Sequence, residues 1–397
     1  MRHFDYLSDE ERDRLFFRHP QRFGADDALT LQAVGLGATL YSPATRPHLA
    51  SDIATLAGRG VLSLVVCLED AVADGDVAWA EQNAVAQLRS YAAAHATGKW
   101  GVRDSRPQLF VRVRTPEQIP QIAAGLGEHL DVLTGFVLPK FAEDTGEAFL
   151  AAIALASLGS AVPGKNLLAM PVIESPEMIY QESRTGALLG VRDLLDKYRS
   201  SVLAVRIGAT DFSSAYGLRR SQDMSVYDVR VVADVIADVV NIFGREDGPA
   251  YVVTGPVWEY YSGTERMFKP QLRSSPFIAH SERALRAEIL AKDLDGLLRE
   301  VALDKVNGLT GKTVIHPSHV AAVHALSTVT HEEYSDAVDV LGTDALGGVQ
   351  ASAYRNKMNE SKPHTAWARR MMARAHVFGV AHRATSFVDL LGASLHR

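Results

Sequence analysis

The 397-residue sequence has a single cysteine, Cys67, and no long uncharged hydrophobic segment. One cysteine cannot form an intrachain disulfide, which favours a reducing compartment. No apolar run reaches the roughly 18 residues that a membrane helix needs. The N-terminal sequence MRHFDYLSDEERDRLFF is too charged for a signal peptide. We therefore expect a soluble, cytoplasmic protein.

The sequence also lacks an excess of charge of either sign. Lys and Arg total 41 and Asp and Glu total 47, so the formal net charge is −6. A mildly acidic, mixed surface has no basic face for binding nucleic acid or an anionic membrane. Neither is therefore expected as a partner. The absence of repeats, low-complexity tracts and long Gly/Ser linkers favours one large domain.

What the sequence does contain is a series of eight short apolar runs, separated by segments with helical spacing. Nearly continuous Val, Leu and Ile are typical of parallel strands that are buried on both faces. Eight alternations of strand and helix predict an α/β fold, either a closed (β/α)₈ TIM barrel or a doubly wound sheet. SPATRP follows the first run instead of a Gly-rich phosphate fingerprint, which favours the barrel. The runs are 37–43, 61–70, 108–114, 135–140, 167–175, 201–211, 251–257 and 311–318.

The chain is longer than the roughly 250 residues of a plain barrel. We predict an N-terminal extension, an aromatic and basic insertion after the seventh strand (258–281) and a helical C-terminal segment. The barrel domain is assigned to residues 1–330 and the C-terminal segment to residues 331–397.

Charged residues stand at the ends of five of the eight runs, where a buried strand does not need them for packing. The C-terminal strand ends form the active-site face of a (β/α)₈ barrel. Recurrence at five strand ends favours an active site over solvated loop residues. The residues are Glu69 and Asp70, Arg112 and Arg114, Lys140, Glu174, and Asp211.

Glu174 and Asp211 end the fifth and sixth predicted strands. Neighbouring strands lie about 4.8 Å apart, so the two carboxylates could meet at one point. Mg²⁺ prefers oxygen ligands and usually takes one or two carboxylates together with water and substrate. Zn²⁺ fits poorly, because no Cys/His cluster has ligand spacing. The alternative for Glu174 is a role in capping the helix that Ser175 and Pro176 would start.

Arg112 and Arg114 are two residues apart on one strand and therefore share a face. An arginine pair directed into the site would suit a carboxylate, a phosphate or a developing enolate. The alternative is an ion pair with Glu69 or Asp70, and both roles are compatible. Lys140 could form a Schiff base if burial lowered its pKa, but acidic neighbours should keep it protonated, so we expect no such role.

Seven motifs, taken in order, resemble those of the citrate lyase β-subunit and HpcH/HpaI aldolase superfamily. Each motif is weak alone, but seven in order over about 280 residues are specific. Three further segments, TGPVWEYY, RMFKPQLR and NKMNESKPHTAWARRMMARA, resemble a narrower branch, the barrel-type C–C bond lyases linked to tellurite-resistance and stress operons. The seven motifs are LYSPATRP, CLEDAV, FVRVR, VLPK, PVIES, GATDF and GKTVIHPS.

The resemblance implies a Mg²⁺-dependent lyase that breaks or makes a carbon–carbon bond next to a carbonyl, through a metal-stabilised enolate. It implies Glu174 and Asp211 as the metal ligands and Arg112 as the substrate-binding arginine. Together with the strand-end analysis, it gives a catalytic set and a substrate-binding set. The first is Arg112, Glu69, Asp70 and Glu360, and the second is Arg46, Arg112, Arg114 and Lys140.

The sequence departs from the family pattern at three places. Cys67 replaces the first aspartate of DLED, Arg114 replaces an asparagine, and Asn359-Glu360 stand where thioester-cleaving relatives have a C-terminal aspartate. In relatives that segment covers the site of a neighbouring subunit in a homotrimer. We therefore expect a homo-oligomer, a trimer or a multiple of it, in which Glu360 acts as acid or base in trans. A hydroxide at the metal is the other candidate base, and a helix covering the base of its own barrel is the alternative for the segment.

The favoured function is aldolase-type cleavage or condensation of a small anionic oxo or hydroxy acid. The extra arginine and the basic residues Arg266, Lys269 and Arg273 of the insertion suggest a more anionic ligand than a malyl or citryl thioester. One alternative is nevertheless a lyase or hydrolase of citryl- or malyl-coenzyme A type. A second alternative, from a different class, is a non-catalytic barrel scaffold in a stress-response assembly.

Overall fold

A computed structural model describes residues 1–98, 106–261, 294–342 and 348–395, and its centre is a barrel of eight parallel strands. Strands adjacent in the chain are adjacent in the sheet, and the first strand also pairs with the last. The barrel closes between the sixth and seventh strands, where the Val205 N–H donates to the Val252 carbonyl at 2.9 Å. The predicted TIM barrel is confirmed. The strands are β1 Ala38–Pro43, β2 Ser63–Cys67, β3 Gln108–Arg112, β4 Gly135–Leu138, β5 Leu168–Ile173, β6 Arg206–Ile207, β7 Gly255–Trp258 and β8 Lys312–Val314.

Each barrel strand is followed by a helix that packs on the outside of the sheet. These helices pack on the sheet because each has an apolar face, as the helix Arg230–Phe243 illustrates. Its buried residues Val232, Val235, Ile236 and Val239 recur at helical spacing and form one apolar stripe. Burying each such side chain contributes roughly 1.5–3 kcal/mol. The helices are α1 Leu49–Gly58, α2 Val77–Ala96, α3 Gln118–Leu126, α4 Glu143–Leu158, α5 Arg184–Lys197, α6 Arg230–Phe243, α7 Leu294–Val306 and α8 Ser318–Ser327.

The barrel interior has its own small core, separate from the larger core between strands and helices. Val65, Phe110, Val137 and Met170 point inward from four neighbouring strands. A short helix, Leu29–Gly35, closes the N-terminal face of the barrel and adds Ala33 to this inner core. Because the strands are buried on both faces, they give the continuous apolar runs seen in the sequence.

The N-terminal extension and the C-terminal segment meet each other. Helix Asp9–Leu15 leads into a short strand, Phe16–Arg18, which pairs with Val380–Ala381. The C-terminal segment contains α9 His331–Gly342, a hairpin of Val349–Ala351 and Met358–Glu360, α10 Ser361–Phe378 and α11 Phe387–Leu395.

Helix α10 lies beneath its own barrel. Arg370 donates to the Gly244 carbonyl at 2.9 Å, and Arg374 donates to the Ser327 carbonyl at 2.9 Å. These carbonyls lie at the C-terminal ends of α6 and α8. In a barrel, the helices run antiparallel to the strands, so these ends mark the N-terminal face. Packing of the segment on a neighbouring subunit stays a prediction.

The insertion predicted over 258–281 begins within the described residues, where Trp258 belongs to β7, but residues 262–281, with Arg266, Lys269 and Arg273, lie outside them. Within the described ranges, no helix combines the length and the hydropathy that crossing a membrane requires.

Candidate active site

Charged side chains from neighbouring strand ends meet at the C-terminal mouth of the barrel, around Arg112. Its Nη2 lies 2.8 Å from Glu69 Oε2 and 2.9 Å from Glu174 Oε1. Its Nη1 lies 3.4 Å from Asp70 Oδ2. Arg112, Glu69 and Glu174 are buried, whereas the side chain of Asp70 is 60% exposed. Four of the strand-end residues predicted from the sequence, Glu69, Asp70, Arg112 and Glu174, are thus brought together, and the ion pair expected as an alternative for Arg112 is present.

Lys140 follows β4 and contacts two carboxylates through different atoms. Its Nζ lies 2.5 Å from Glu69 Oε1, and its backbone N–H donates to Glu174 Oε1 at 2.9 Å. The residue has a positive φ of 46°, a strained conformation for a side chain other than glycine. Burial lowers the pKa of Lys140, but the hydrogen bond and charge of Glu69 outweigh it, so the net pKa is raised. The amine therefore stays protonated.

Glu174 is the most buried carboxylate of the mouth. Burial raises its pKa to about 7, with Arg112 opposing and Asp211 adding to the shift. Its Oε1 accepts from both Arg112 and Lys140, while its Oε2 lies against Gly208, where any β-carbon would clash. Gly208, directly after β6, thus leaves room for Glu174 Oε2 next to the short helix that carries Asp211.

Asp211 is half-buried in the first turn of a short helix, Ala209–Ser214, that directly follows β6. Its charge acts on Glu174, as the raised pKa of Glu174 indicates. In the part of the chain that the structure describes, no three or more His, Cys, Asp or Glu side chains are grouped to hold a metal. An ion here would therefore take two protein carboxylates and leave positions for water and substrate, as Mg²⁺ commonly does.

Glu69 and Asp70 are hydrogen-bonded to each other, and each shifts the pKa of the other. The Asp70 N–H donates to Glu69 Oε2 at 2.8 Å. Burial would raise the pKa of Glu69, but the hydrogen bond to Asp70, the charge of Arg112 and the hydrogen bond to Lys140 lower it to about 2. Burial and the bond to Glu69 raise the pKa of Asp70 to about 6. Glu69 is therefore the permanent anion, and Asp70 is the group that exchanges a proton near neutral pH.

Three predicted site residues have their contacts elsewhere. Arg114 donates to the Leu68 carbonyl at 2.7 Å and pairs with Asp74 at 2.6 Å, so it holds the loop that carries Glu69 and Asp70. Arg46 is exposed in the loop after β1 and pairs with Asp52 at 2.6 Å. Glu360 ends the C-terminal hairpin, directly before α10, and its N–H donates to His364 Nδ1 at 3.1 Å.

Sequence analysis missed a buried cation inside the barrel, Arg206 of β6, which is 1% exposed. Its Nη1 donates to Thr39 Oγ1 at 3.4 Å, its Nη2 donates to Thr313, and its guanidinium carbon lies 5.5 Å from the Tyr41 ring centroid. Among the described residues, no carboxylate pairs with it. The sequence feature that could have identified Arg206 is its position as a charged residue in the middle of the apolar run 201–211. Arg206 adds positive potential beneath the mouth, and its charge and that of Arg112 both act on Tyr41.

A second missed residue, Glu259, follows β7. Its Oε1 accepts from the hydroxyl of Thr210 at 2.9 Å, and its Oε2 lies 3.3 Å from Arg220 Nε. Arg220 also pairs with Glu300, which lies 2.6 Å from Lys312 inside the protein. Ion pairs and a hydrogen bond therefore connect the buried cluster of Arg220, Glu300 and Lys312, through Glu259, to Thr210. Thr210 directly precedes Asp211. A carboxylate directly after an apolar run, as at the other strand ends, was the available signal.

A cavity of about 750 Å³ adjoins the mouth. Its walls include Glu69, Asp70, Arg114, Lys140 and Phe149. It gives access to Glu69, Asp70 and Lys140, whereas Arg112, Glu174 and Asp211 are not among its lining residues. Its volume is in the range that suits small ligands.

A closed TIM barrel with convergent acids, an arginine and a lysine at its C-terminal mouth has the architecture of a barrel enzyme. The chain belongs to the family of C–C bond lyases of the TIM-barrel fold, whose family model matches residues 30–380. The resemblance to barrel-type C–C bond lyases is thereby confirmed. The narrower branch associated with tellurite resistance stays a prediction.

Solved structures with the same fold include a citrate lyase from Burkholderia xenovorans LB400, with 16% identity over 90% of this chain and 96% of that chain and a TM-score of 0.57. A malate synthase from Haloferax volcanii has 13% identity over 77% of this chain and 75% of that chain, with a TM-score of 0.51. Protein CitE from Mycobacterium tuberculosis, in complex with magnesium, acetoacetate and coenzyme A, has 19% identity over 85% and 97%, with a TM-score of 0.49. At these identities the similarity concerns the fold. No curated protein matched the chain.

Proposed function

We propose that the protein is a Mg²⁺-dependent, aldolase-type carbon–carbon lyase that acts on a small anionic oxo or hydroxy acid. In this proposal Glu174 and Asp211 hold the metal. The observation that carries it is the state of Glu174: a buried carboxylate with its pKa raised to about 7, beside a second carboxylate and with Oε2 turned towards β6. A divalent cation would favour the ionised form of both acids.

Magnesium at these residues would supply Lewis-acid stabilisation of the oxygen on which negative charge develops. The chain itself contributes Arg112, whose Nη2 is held by Glu69 and Glu174 while Nη1 has only the longer contact to Asp70. Nη1 is therefore the donor best able to bind a substrate carboxylate. Protonated Lys140 adds a second positive charge to the same wall.

Asp70 is the residue of this chain best suited to move the proton. In the cleavage direction a hydroxyl proton must leave as the carbon–carbon bond breaks and its electron pair passes into the enolate. An exposed carboxylate with its pKa raised to about 6 is ionised enough at neutral pH to accept that proton and acidic enough to return it. Glu69 and Arg112 fix its position. Glu360 from another subunit stays the alternative for this role.

Calorimetric titration with Mg²⁺ tests the metal site directly. Glu174→Gln and Asp211→Asn should each weaken Mg²⁺ binding by about tenfold or more, because each removes one of two charged ligands. Asp74→Asn is the matched control, since Asp74 lies in the same mouth but pairs with Arg114. Circular dichroism checks that the fold is retained. Unchanged affinity in both ligand variants would remove the centre of the proposal.

A crystal soaked with Mg²⁺ and pyruvate, as a small 2-oxo acid, tests the substrate class. Density for the ion between Glu174 and Asp211, with the carboxylate of pyruvate at Arg112, is the expected result. Coenzyme A binding by calorimetry, with no binding of the 2-oxo acid, would favour the thioester-cleaving alternative instead.

A further inference from the structure

A second cavity lies at the opposite end of the barrel, between its N-terminal face and α10. It consists of two adjoining lobes of about 420 and 410 Å³ that share Arg370 and Arg374 as lining residues. The first lobe has an apolar wall that includes Val34 and Leu203. Ala373 on α10 also lines it, and its small side chain leaves the lobe open. The volume is in the range of sites for small molecules.

Arg374 brings a buried positive charge, without a direct carboxylate contact, to the junction of the two lobes. Its side chain is buried, with 8% of the residue exposed. Nη2 donates to the Ser327 carbonyl at 2.9 Å, but Nη1 has only the sulfur of Met371 at 3.6 Å, and a thioether is a weak acceptor. Among the described residues, Arg374 has no ion pair.

Glu333 is the carboxylate whose charge acts on Arg374, and it is already paired with Lys305. Glu333 accepts from Lys305 Nζ at 2.8 Å, so two cations share one carboxylate in the wall of the second lobe. Burial lowers the pKa of Arg374, with Glu333 opposing, and burial together with the charge of Arg374 lowers the pKa of Lys305. A buried charge without a partner is unfavourable, and a bound anion would relieve it.

The other three arginines that line the cavity, Arg199, Arg369 and Arg370, each interact with another group of the protein. Arg370 lies 2.6 Å from Glu246, and Arg199 lies 2.5 Å from Asp196 and stacks over Tyr251 at 4.0 Å. Arg374 is therefore a lining guanidinium with a donor left for a ligand, next to an apolar lobe.

We propose that this cavity binds a small carboxylate with an apolar body, as a site separate from the barrel mouth. The carboxylate pairs with Arg374, whose planar guanidinium matches its geometry. The apolar body occupies the first lobe against Val34 and Leu203. A ligand held in this way would bridge α10 and the barrel base. The end of the C-terminal motif, which contains Ala373 and Arg374, would thus serve ligand binding at the barrel base.

The probe is 4-bromobenzoate, tested on the full chain by calorimetry, with 4-bromobenzamide as the neutral analogue. The wild type should bind the carboxylate about tenfold or more tightly than the amide, because a charge-assisted hydrogen bond contributes more than a neutral one. Arg374→Met removes the charge and should weaken binding about tenfold or more. Ala373→Leu keeps the charge but fills the first lobe, and should also weaken binding by that factor. Arg89→Met, on the outside of α2, is the matched control and should bind normally.

The anomalous signal of bromine in a soaked crystal locates the probe independently of any variant. A bromine peak in the first lobe, together with loss of affinity in both variants, supports the proposal. A peak only at the barrel mouth, unchanged affinity in either variant, or no binding at millimolar concentration would overturn it. Because no metal is involved, these outcomes do not depend on the proposed lyase activity.

Discussion

The guanidinium of Arg112 and the carboxylate of Glu174 meet at 2.9 Å although 62 positions separate the two residues in the chain. The contact crosses β4, since Arg112 ends β3 and Glu174 follows β5. One oxygen of Glu174 is thereby fixed, and the other is directed towards the end of β6. The orientation of the proposed metal ligand therefore depends on an arginine from another strand.

Arg112→Lys should lower kcat/KM by about a hundredfold or more while the chain stays folded. Lysine keeps the positive charge, but a single ammonium cannot contact Glu69, Asp70 and Glu174 and still offer a planar pair of donors. Steady-state kinetics measures the effect, and Arg114→Lys is the matched control. Full activity in Arg112→Lys with an inactive Arg114→Lys would show that the roles are reversed.

Mg²⁺ affinity should fall about tenfold between pH 8 and pH 6. With its pKa raised to about 7, Glu174 is mostly ionised at the higher pH and mostly protonated at the lower one. The metal binds only the ionised form, so a proton competes with it in acid. Titration calorimetry at the two pH values measures the difference. In Glu174→Gln the residual affinity should vary far less, and equal wild-type affinities at both pH values would contradict the prediction.

Lys140 should not form a Schiff base. Its amine contacts Glu69 at 2.5 Å and its pKa is raised, so little of the neutral nucleophile exists at neutral pH. Treatment with borohydride and pyruvate should leave Lys140 unmodified by mass spectrometry. A reduced adduct on this lysine, absent from Lys140→Arg, would place the enzyme in a different mechanistic class.

Glu259→Gln should weaken Mg²⁺ binding several-fold with a smaller effect on kcat at saturating metal. The change keeps an acceptor for Thr210 but weakens the tie to Arg220, which steadies the turn carrying Asp211. Thr210→Val cuts the same chain of contacts from the other side. The double variant should be no worse than the more affected single variant, because the two residues act through one contact. Additive losses would show that Glu259 does not position Asp211.

A mixed oligomer tests whether Glu360 acts in trans. Within one chain, Glu360 directly precedes the helix beneath the barrel, whereas Glu174 lies at the mouth. If a neighbouring subunit supplies Glu360, subunits with Glu174→Ala and subunits with Glu360→Gln should be inactive alone and recover activity when mixed. Native mass spectrometry confirms subunit exchange. Exchange without recovered activity would leave this segment with a packing role only.

The barrel could be predicted because the strands are buried on both faces and five of the eight runs end in charged residues, and both features are local. The direction of the Arg114 side chain could not be predicted from the sequence. Alternation places it on the face of Arg112, but β3 ends at Arg112, so the rule no longer applies two residues later. Its guanidinium instead closes on the carbonyl of Leu68.

The roles of Arg206 and of α10 depend on partners far away in the chain. The neighbours of Arg206 are Thr39 and Thr313, and nothing in the run 201–211 identifies them. The apolar stripe of α10 predicts that the helix is buried, but a stripe does not specify which surface covers it. The sequence alone left the base of its own barrel open as an alternative, and only the resemblance to known relatives favoured a neighbouring subunit.

The strand Phe16–Arg18 pairs with Val380–Ala381, and Tyr6 contacts Ser394 at 2.7 Å. These contacts between the two ends of the chain affect the order in which the protein folds. The first of these segments leaves the ribosome long before its partner has been synthesised. Until then Phe4, Leu15 and Phe16, all buried in the finished protein, have only part of their apolar contacts. Closure of the barrel base is therefore a late, non-local event, of the kind that slows folding and leaves a nascent chain prone to aggregation.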